Sequence, residues 1–252
     1  MIARDALTTY LHDHLACDRY TDYAPNGLQV EGRIDIKRIC TAVTASYDVI
    51  IEAIAWHADA LLVHHGYFWR GEEAVITGMK RRRIGQLLTH DLNLYAYHLP
   101  LDCHADLGNN ACLGQLFALQ NIQAHPVGHT PALLWSGQLA HPMSACAFSD
   151  DLSKKLQREP LCISGTEKPI QRVAWCSGGA QDYIVDAHRL GVDAYISGEI
   201  SERTYYQAQE LGLHYFACGH HATERLGIQA LGKHLLERFD VQHRFIDSNN
   251  PV

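Results

Sequence analysis

The sequence contains no C-x-x-C pair, although it has eight cysteines, at 17, 40, 103, 112, 146, 162, 176 and 218. A structural zinc knuckle draws its thiolates from such pairs, so none is expected. Most of the cysteines fall in apolar or helical stretches and read as reduced structural thiols. No apolar run approaches the roughly 20 residues that a membrane helix needs. The first residues, "MIARDALTTYLHDHLACDRY", mix charge into a helical pattern and lack a signal-peptide core. The expectation is a cytoplasmic protein that does not enter a membrane. Basic residues are in the minority, 21 Lys and Arg against 28 Asp and Glu, for a net charge of −7. That argues against a broad basic face for nucleic acid. There is no G-x-S-x-G and no Walker loop, so seryl and P-loop chemistry have no support. No low-complexity tract or flexible linker interrupts the 252 residues, which suffice for one large or two medium domains.

What the sequence does have is histidine, 17 in all, and a regular alternation of strand and helix patterns. Helical spacing runs over 5–16 through Leu7, Tyr10, Leu11 and Leu15. "YAPNGLQVEG" (23–32) is turn-rich. Strands are expected at 36–43, 59–63 and 92–97, and helices at 48–57 (with Ser46 as cap), 79–89 and 109–119. The order then recurs. Strands are expected at 170–177, 193–197 and 213–218, with helices at 180–190, 202–211 and 223–239. Less regular, 126–165 offers a strand-pair element at 131–140, a polar helix at 150–159 and a short strand at 161–164. Such alternation predicts a mostly parallel sheet.

Sliding the first unit by 134 positions lays Arg38 on Arg172, Asp48 on Asp182, Ile50 on Ile184, Ala53 on Ala187, Asp59 on Asp193 and Ala60 on Ala194, without a gap. Any two βαβ units share part of this pattern. The reading favoured is an internal duplication: two similar α/β lobes, 1–125 and 126–252, with mostly parallel sheets and a metal site in the cleft between them.

The histidines cluster where such a fold places sites, at the carboxyl ends of strands. "DALLV" ends in His64 and His65. "LNLYAY" ends in His98, with Asp102 four residues on. "LHYFAC" is followed by Gly219 and His220, with Glu224 four residues on. The last two look like one device used twice. Imidazole and carboxylate suit zinc, iron or manganese, and carboxylates can bridge two ions. His64 and His65 point to opposite faces of an extended strand unless Gly66 bends the chain, so the pair fits two ions better than one. Singly, each motif is as readily structural; together, at equivalent strand ends, they point to metal.

Three features stay open. "CSGGAQD" (176–182) could hold a phosphate on backbone N–H groups, or be a tight turn in which Ser177 helps start a helix. "GYFWRGE" (66–72) sets Tyr67, Phe68 and Trp69 beside the histidines, to stack on a planar substrate or simply to pack. "KRRR" (80–83) is a solvated helix face or a local phosphate contact. Cys103 and Cys218 lie near the motifs and read as packing groups.

"LLVHHG", "YHLPLD" and "GHHATE", with "NGLQVEG" near the start, resemble the GTP cyclohydrolase type-two homologue family, the NIF-three-like proteins, from about residue 20 to the end. The resemblance implies two α/β lobes around a dinuclear metal centre, and a ring-shaped homohexamer. It implies His64, His65, Asp102, His220 and Glu224 as ligands of two divalent ions. Many members have tyrosine after the third motif's histidine, where this chain has His221. His98 matches the motif and is kept as a ligand or a proton-handling catalytic group. The implied activity is metal-dependent hydrolysis, with a purine nucleotide, GTP, as the family's named substrate. The rival expectations are a non-catalytic metal-loaded ring that binds a protein or nucleic acid, and a metal-storage protein.

Overall fold

The computed structural model describes residues 1–252. In chain order the strands are β1 (Ile2–Ala3), β2 (Gly27–Val30), β3 (Asp35–Ile36), β4 (Arg38–Thr44), β5 (Ala60–His65), β6 (Asn93–Ala96), β7 (Gln120–Val127), β8 (Thr130–Met143), β9 (Leu161–Ile163), β10 (Ile170–Trp175), β11 (Ala194–Ser197), β12 (His214–Ala217) and β13 (Gln242–Phe245). The helices are α1 (Arg4–His14), α2 (Tyr47–Ala55), α3 (Gly78–Thr89), α4 (Leu99–Asp102), α5 (Asn109–Leu116), α6 (Ala145–Leu156), α7 (Ile184–Arg189), α8 (Glu202–Leu211) and α9 (His220–Arg238). No helix is long and apolar enough to cross a membrane.

The chain forms two compact units, Met1–Leu101 with Gly227–Asn249, and Asp102–Leu226 with Asn250–Val252. The division expected at 125/126 falls inside β7. The first unit is discontinuous because β13 returns to pair with β4 in parallel, Gln242 beside Arg38 through Phe245 beside Thr41. Its sheet has the order β13-β4-β5-β6-β2, all parallel except the edge strand β2. The apolar runs "ICTAV" and "ALLV" are buried throughout, as strands covered on both faces require. Val49, Ile50 and Ala53 turn α2 onto that sheet, and the Ser46 hydroxyl caps it by accepting from the Val49 N–H at 3.3 Å.

The second unit departs from the expected mostly parallel sheet. Its order is β7-β8-β10-β11-β12-β9, and only β10-β11 and β11-β12 are parallel. The β7-β8 hairpin and β9 add three antiparallel pairings. β9 and β10 take their antiparallel partners from segments distant in sequence, which local periodicity does not report, whereas β7 and β8 pair directly across Gly128 and His129. The polar helix expected at 150–159 begins earlier, at Ala145, because the Ser144 hydroxyl caps it by accepting from Ala147 N–H. The helix expected at 180–190 is a 3-10 turn over Gln181–Tyr183 leading into α7. The core of this unit gathers Phe117, Trp135, Phe148, Trp175 and Phe216.

The two sheets share one internal plan. Ile39, Cys40 and Thr41 pair with Ala60, Leu61 and Leu62. Val173, Ala174 and Trp175 pair with Ala194, Tyr195 and Ile196, the same register 134 positions on. Side chains repeat as well. Asp59 accepts from the Lys37 and Arg38 N–H groups at 2.8 and 2.7 Å. Asp193 accepts from those of Gln171 and Arg172 at 3.0 and 2.8 Å. In each unit an antiparallel edge strand, β2 or β9, flanks the third parallel strand, and a helix, α1 or α6, precedes it. The equivalence therefore extends beyond the βαβ segment.

Candidate metal centre

β5 runs through both histidines, so His64 and His65 are its last two residues. Their rings nevertheless lie 4.6 Å apart. At the next strand end His98 joins them, its ring 5.1 Å from that of His64 and 5.9 Å from that of His65. One nitrogen from each of the three lies within 4.8 Å of the other two. The fold thus groups His98 with the pair.

Each ring is held from its Nδ1 side. His64, fully buried, has Nδ1 at 2.9 Å from the Tyr97 carbonyl oxygen. His65 Nδ1 is 3.1 Å from the Thr44 hydroxyl. His98 Nδ1 is 2.7 Å from Asp22 Oδ1. A carbonyl or carboxylate beside Nδ1 requires the proton there and leaves the lone pair on Nε2, the tautomer a metal ligand needs. Asp22 is buried yet holds its charge. Burial raises its pKa, but His98, Asn26 and the Tyr23 N–H outweigh this and lower it.

In the second unit α9 begins at His220, three residues before the expected start, so His220 and Glu224 lie one turn apart on a helix face. His220 Nε2 is 3.1 Å from Glu224 Oε2, and its Nδ1 is 2.7 Å from Glu199 Oε1. Burial lowers the imidazole's pKa, but Glu224 and then Glu199 overcome this and raise it to about 9. Asp102 and Glu224 are both buried and bring carboxylate oxygens within 4.8 Å of each other. Asp102 Oδ1 accepts from Asn109 Nδ2 and the Ser177 hydroxyl, each at 2.9 Å. Two buried carboxylates this close repel, and a cation offsets that cost.

The backbone makes room for this cluster at Gly178. Its φ is +65°, and a Cβ there would lie 2.1 Å from Glu224 Oε1 and 3.1 Å from His220 Nε2. Within the second unit a side-chain-free cradle, two carboxylates and one imidazole form a donor set of the kind that zinc, iron or manganese takes.

The two histidine-carboxylate motifs are offset by one residue. The Tyr97 N–H bonds Val63 O, and the Cys218 N–H bonds Ser197 O. That register lays His98 on Gly219, not on His220. Gly219, at φ +94°, is the extra residue before α9 starts. Where the first unit has His64 and His65, the second has Gly198 and Glu199. A Cβ on Gly198 would lie 2.7 Å from His220 Cα, so no histidine fits there.

Of the open features, "CSGGAQD" is a tight turn. Its N–H groups at Ser177, Gly178 and Ala180 are taken by Asn110, Thr223 and Ser197, and the Ser177 hydroxyl goes to Asp102 instead of starting a helix. Tyr67 is buried with its hydroxyl on Ala45 O, and Phe68 packs on the core under Lys80. Trp69 alone of the three stands edge-on to His98, at 5.1 Å. Lys80 is engaged by Glu72 and the Glu73 carbonyl, which leaves "KRRR" less cationic than it reads. Cys176 is buried among Asp102, Cys103 and Glu224, and burial first, then those charges, push its thiol well up. The sequence does not single out Asp22 or Asn109, nor the supporting contacts of Glu199 and Ser177, since such a contact leaves no spacing pattern.

Residues 2–251 match the sequence profile of the family described as Duf34/NIF3 (NGG1p interacting factor 3). The chain belongs to the Duf34/NIF3 family. It is 52% identical over 246 residues to a protein of Allochromatium vinosum described as "GTP cyclohydrolase 1 type 2 homolog", covering 98% of this chain and 96% of that one. Among solved structures it is similar to protein ybgI, described as of unknown function, with 45% identity, TM-score 0.96 and full coverage of both chains. TTHA1606 from Thermus thermophilus follows at 30% identity and TM-score 0.88, again over the whole of both chains. The resemblance drawn from the three motifs is thereby established, and the similarity to these relatives runs over nearly the whole chain.

Proposed function

We propose that this NIF3-family chain is a metal-dependent hydrolase that holds two divalent ions through His64, His65, Asp102, His220 and Glu224. The observation that carries the reading is the common orientation of the imidazoles, each held at Nδ1 by an oxygen. The buried Asp102–Glu224 pair supplies the anionic part of the donor set. Bound ions of this kind polarise an electrophile and lower the pKa of water toward ~7. Asp102, fixed by Asn109 and Ser177, and Glu224, one turn after His220, supply the charge that retains them. His98, tied to Asp22, serves as a further ligand or handles the proton. Relatives named as GTP cyclohydrolase homologues support a purine nucleotide as substrate class. The shared register of the two sheets supports descent from one duplicated unit. The same family membership supports a homohexameric ring, and the exposed Val75, Ile76 and Met79 offer it apolar surface.

The test is elemental analysis of purified protein together with turnover of GTP and a panel of phosphorylated and amide substrates. Two zinc, iron or manganese ions per chain and an activity lost on chelation are expected. Absence of metal after reconstitution with all three would overturn the ligand assignment. Metal without any turnover, in a protein that captures a macromolecular partner, would favour the scaffold reading.

A further inference from the structure

The four histidines differ in what holds them. His64 and His65 lean on a backbone carbonyl and a hydroxyl, whereas His98 and His220 each have a carboxylate on Nδ1, at 2.7 Å in both cases. We propose that Asp22 and Glu199 are positioning residues that fix the Nε2-presenting tautomer of His98 and His220; this rests on the metal-binding reading above.

The two carboxylates do not occupy equivalent places in the two sheets. Asp22 comes from the loop before β2, the edge strand of the first sheet. Glu199 follows the end of β11, at the position that His65 holds in the first unit. A contact inherited from a common unit would recur at the shared register, as the Asp59 and Asp193 contacts do. Here the same partnership is reached from two different positions.

Asp22 is more than a surface ion-pair partner. Its side chain is 3% exposed, and four N–H donors converge on it: His98 Nδ1, Asn26 Nδ2 and the N–H groups of Tyr23 and Leu99, at 2.6–2.9 Å. Asn26 in turn accepts from the His98 N–H at 2.8 Å, so both ring and backbone of His98 are held by one loop. A donor set this complete keeps the carboxylate ionised and immobile, which is what orienting an imidazole requires. Glu199 is less buried, at 38% exposed. Its backbone carbonyl accepts from the Tyr215 hydroxyl, which anchors the residue independently of its side chain.

The experiment uses the full chain and two variants, Asp22→Asn and Glu199→Ala. Histidine ring nitrogen shifts, read in the metal-free protein at a pH above the His220 pKa of about 9, report the neutral tautomer of His98 and His220. Titration with Zn²⁺ against a competing chelator gives affinity, and melting temperature reports fold. The expected result is a loss of the Nδ1–H tautomer at the histidine whose partner was removed. It comes with an affinity lower by about 10–100-fold and only a small change in melting for Glu199→Ala. Should Asp22→Asn not fold, Glu199→Ala decides alone, because the Tyr215 anchor survives it. Unchanged tautomers and wild-type affinity in the folded variants would overturn the proposal. Wild-type protein that binds no Zn²⁺ would sink the metal reading instead, and the ring shifts would still judge the positioning role.

Discussion

Replacing Gly178 by alanine separates what the backbone tolerates from what the proposed metal cluster needs. Gly178 has φ +65° and no room for a Cβ. Its backbone cannot retreat. The N–H donates to Thr223, and the carbonyl accepts from the N–H groups of Ala180 and Gly198 and from the Ser197 hydroxyl. Relief must come from Glu224, whose Oε1 would be 2.1 Å from the new carbon. Gly212 is the control. It ends α8 at φ +64°, and a Cβ added there would meet nothing within 4 Å. Left-handed backbone costs an L-residue about 1–2 kcal/mol, and stiffening of the unfolded chain returns about 0.4–1 kcal/mol. Gly212→Ala should therefore lose roughly 1 kcal/mol, or about 2–4 °C in a chain of this size. Gly178→Ala adds the loss of the Glu224–His220 hydrogen bond, about 1.5–3 kcal/mol for a bond to a charged group. Its total is then about 2.5–4 kcal/mol. Metal binding should fall by at least the roughly 10–100-fold that disturbing a ligand's support costs. Thermal melts and a Zn²⁺ titration of both variants are the assay. Equal melting losses and undiminished metal binding in Gly178→Ala would refute the cradle.

Three further predictions follow from individual contacts. Asp59→Ala and Asp193→Ala should each destabilise by about 1.5–3 kcal/mol, since both carboxylates serve two backbone N–H groups. Asp59→Ala should lose more, because it also breaks the Arg33 contact, and equal melting losses would contradict this. Burial lowers the pKa of His243 and of His125 below the usual 6.5. Folded protein thus binds fewer protons than unfolded, and their contribution, complete above about pH 6.5, is lost as pH falls below it. His243→Gln should flatten that acid limb of melting temperature against pH, and an unaltered slope would count against the assignment. Alkylation should label Cys146, which is exposed, long before the buried Cys176 and Cys218; early loss of either buried thiol in folded protein would show that they are accessible.

Much of the architecture was written locally. "ICTAV" and "ALLV" are short, nearly unbroken apolar runs of the kind that strands covered on both faces require. The spacing in "YDVIIEAIA" turns one side of a helix onto them, with Ser46 in front as a cap. The recurrence at 134 positions was legible because Asp59 and Asp193 do the same work at the same register. The histidines and carboxylates of the three motifs were legible because strand ends are where an α/β sheet exposes side chains to one another.

Tertiary structure alone decided the rest. The β7-β8 hairpin and β9 make the second sheet mixed, and β13 crosses some 200 residues to lie beside β4. The β9 and β13 pairings leave no local trace, because their partners lie far off in sequence and backbone hydrogen bonds carry no side-chain signature. The supporting shell was hidden for a related reason. Asp22 meets His98 across 76 residues, and Ser177 meets Asp102 across 75. The candidate ligands sit at strand ends or within a turn of the helices that follow them, positions that can be read from a pattern. The residue that holds the ligand can come from any loop that the fold brings within hydrogen-bond reach, so its identity is settled only when the chain has folded.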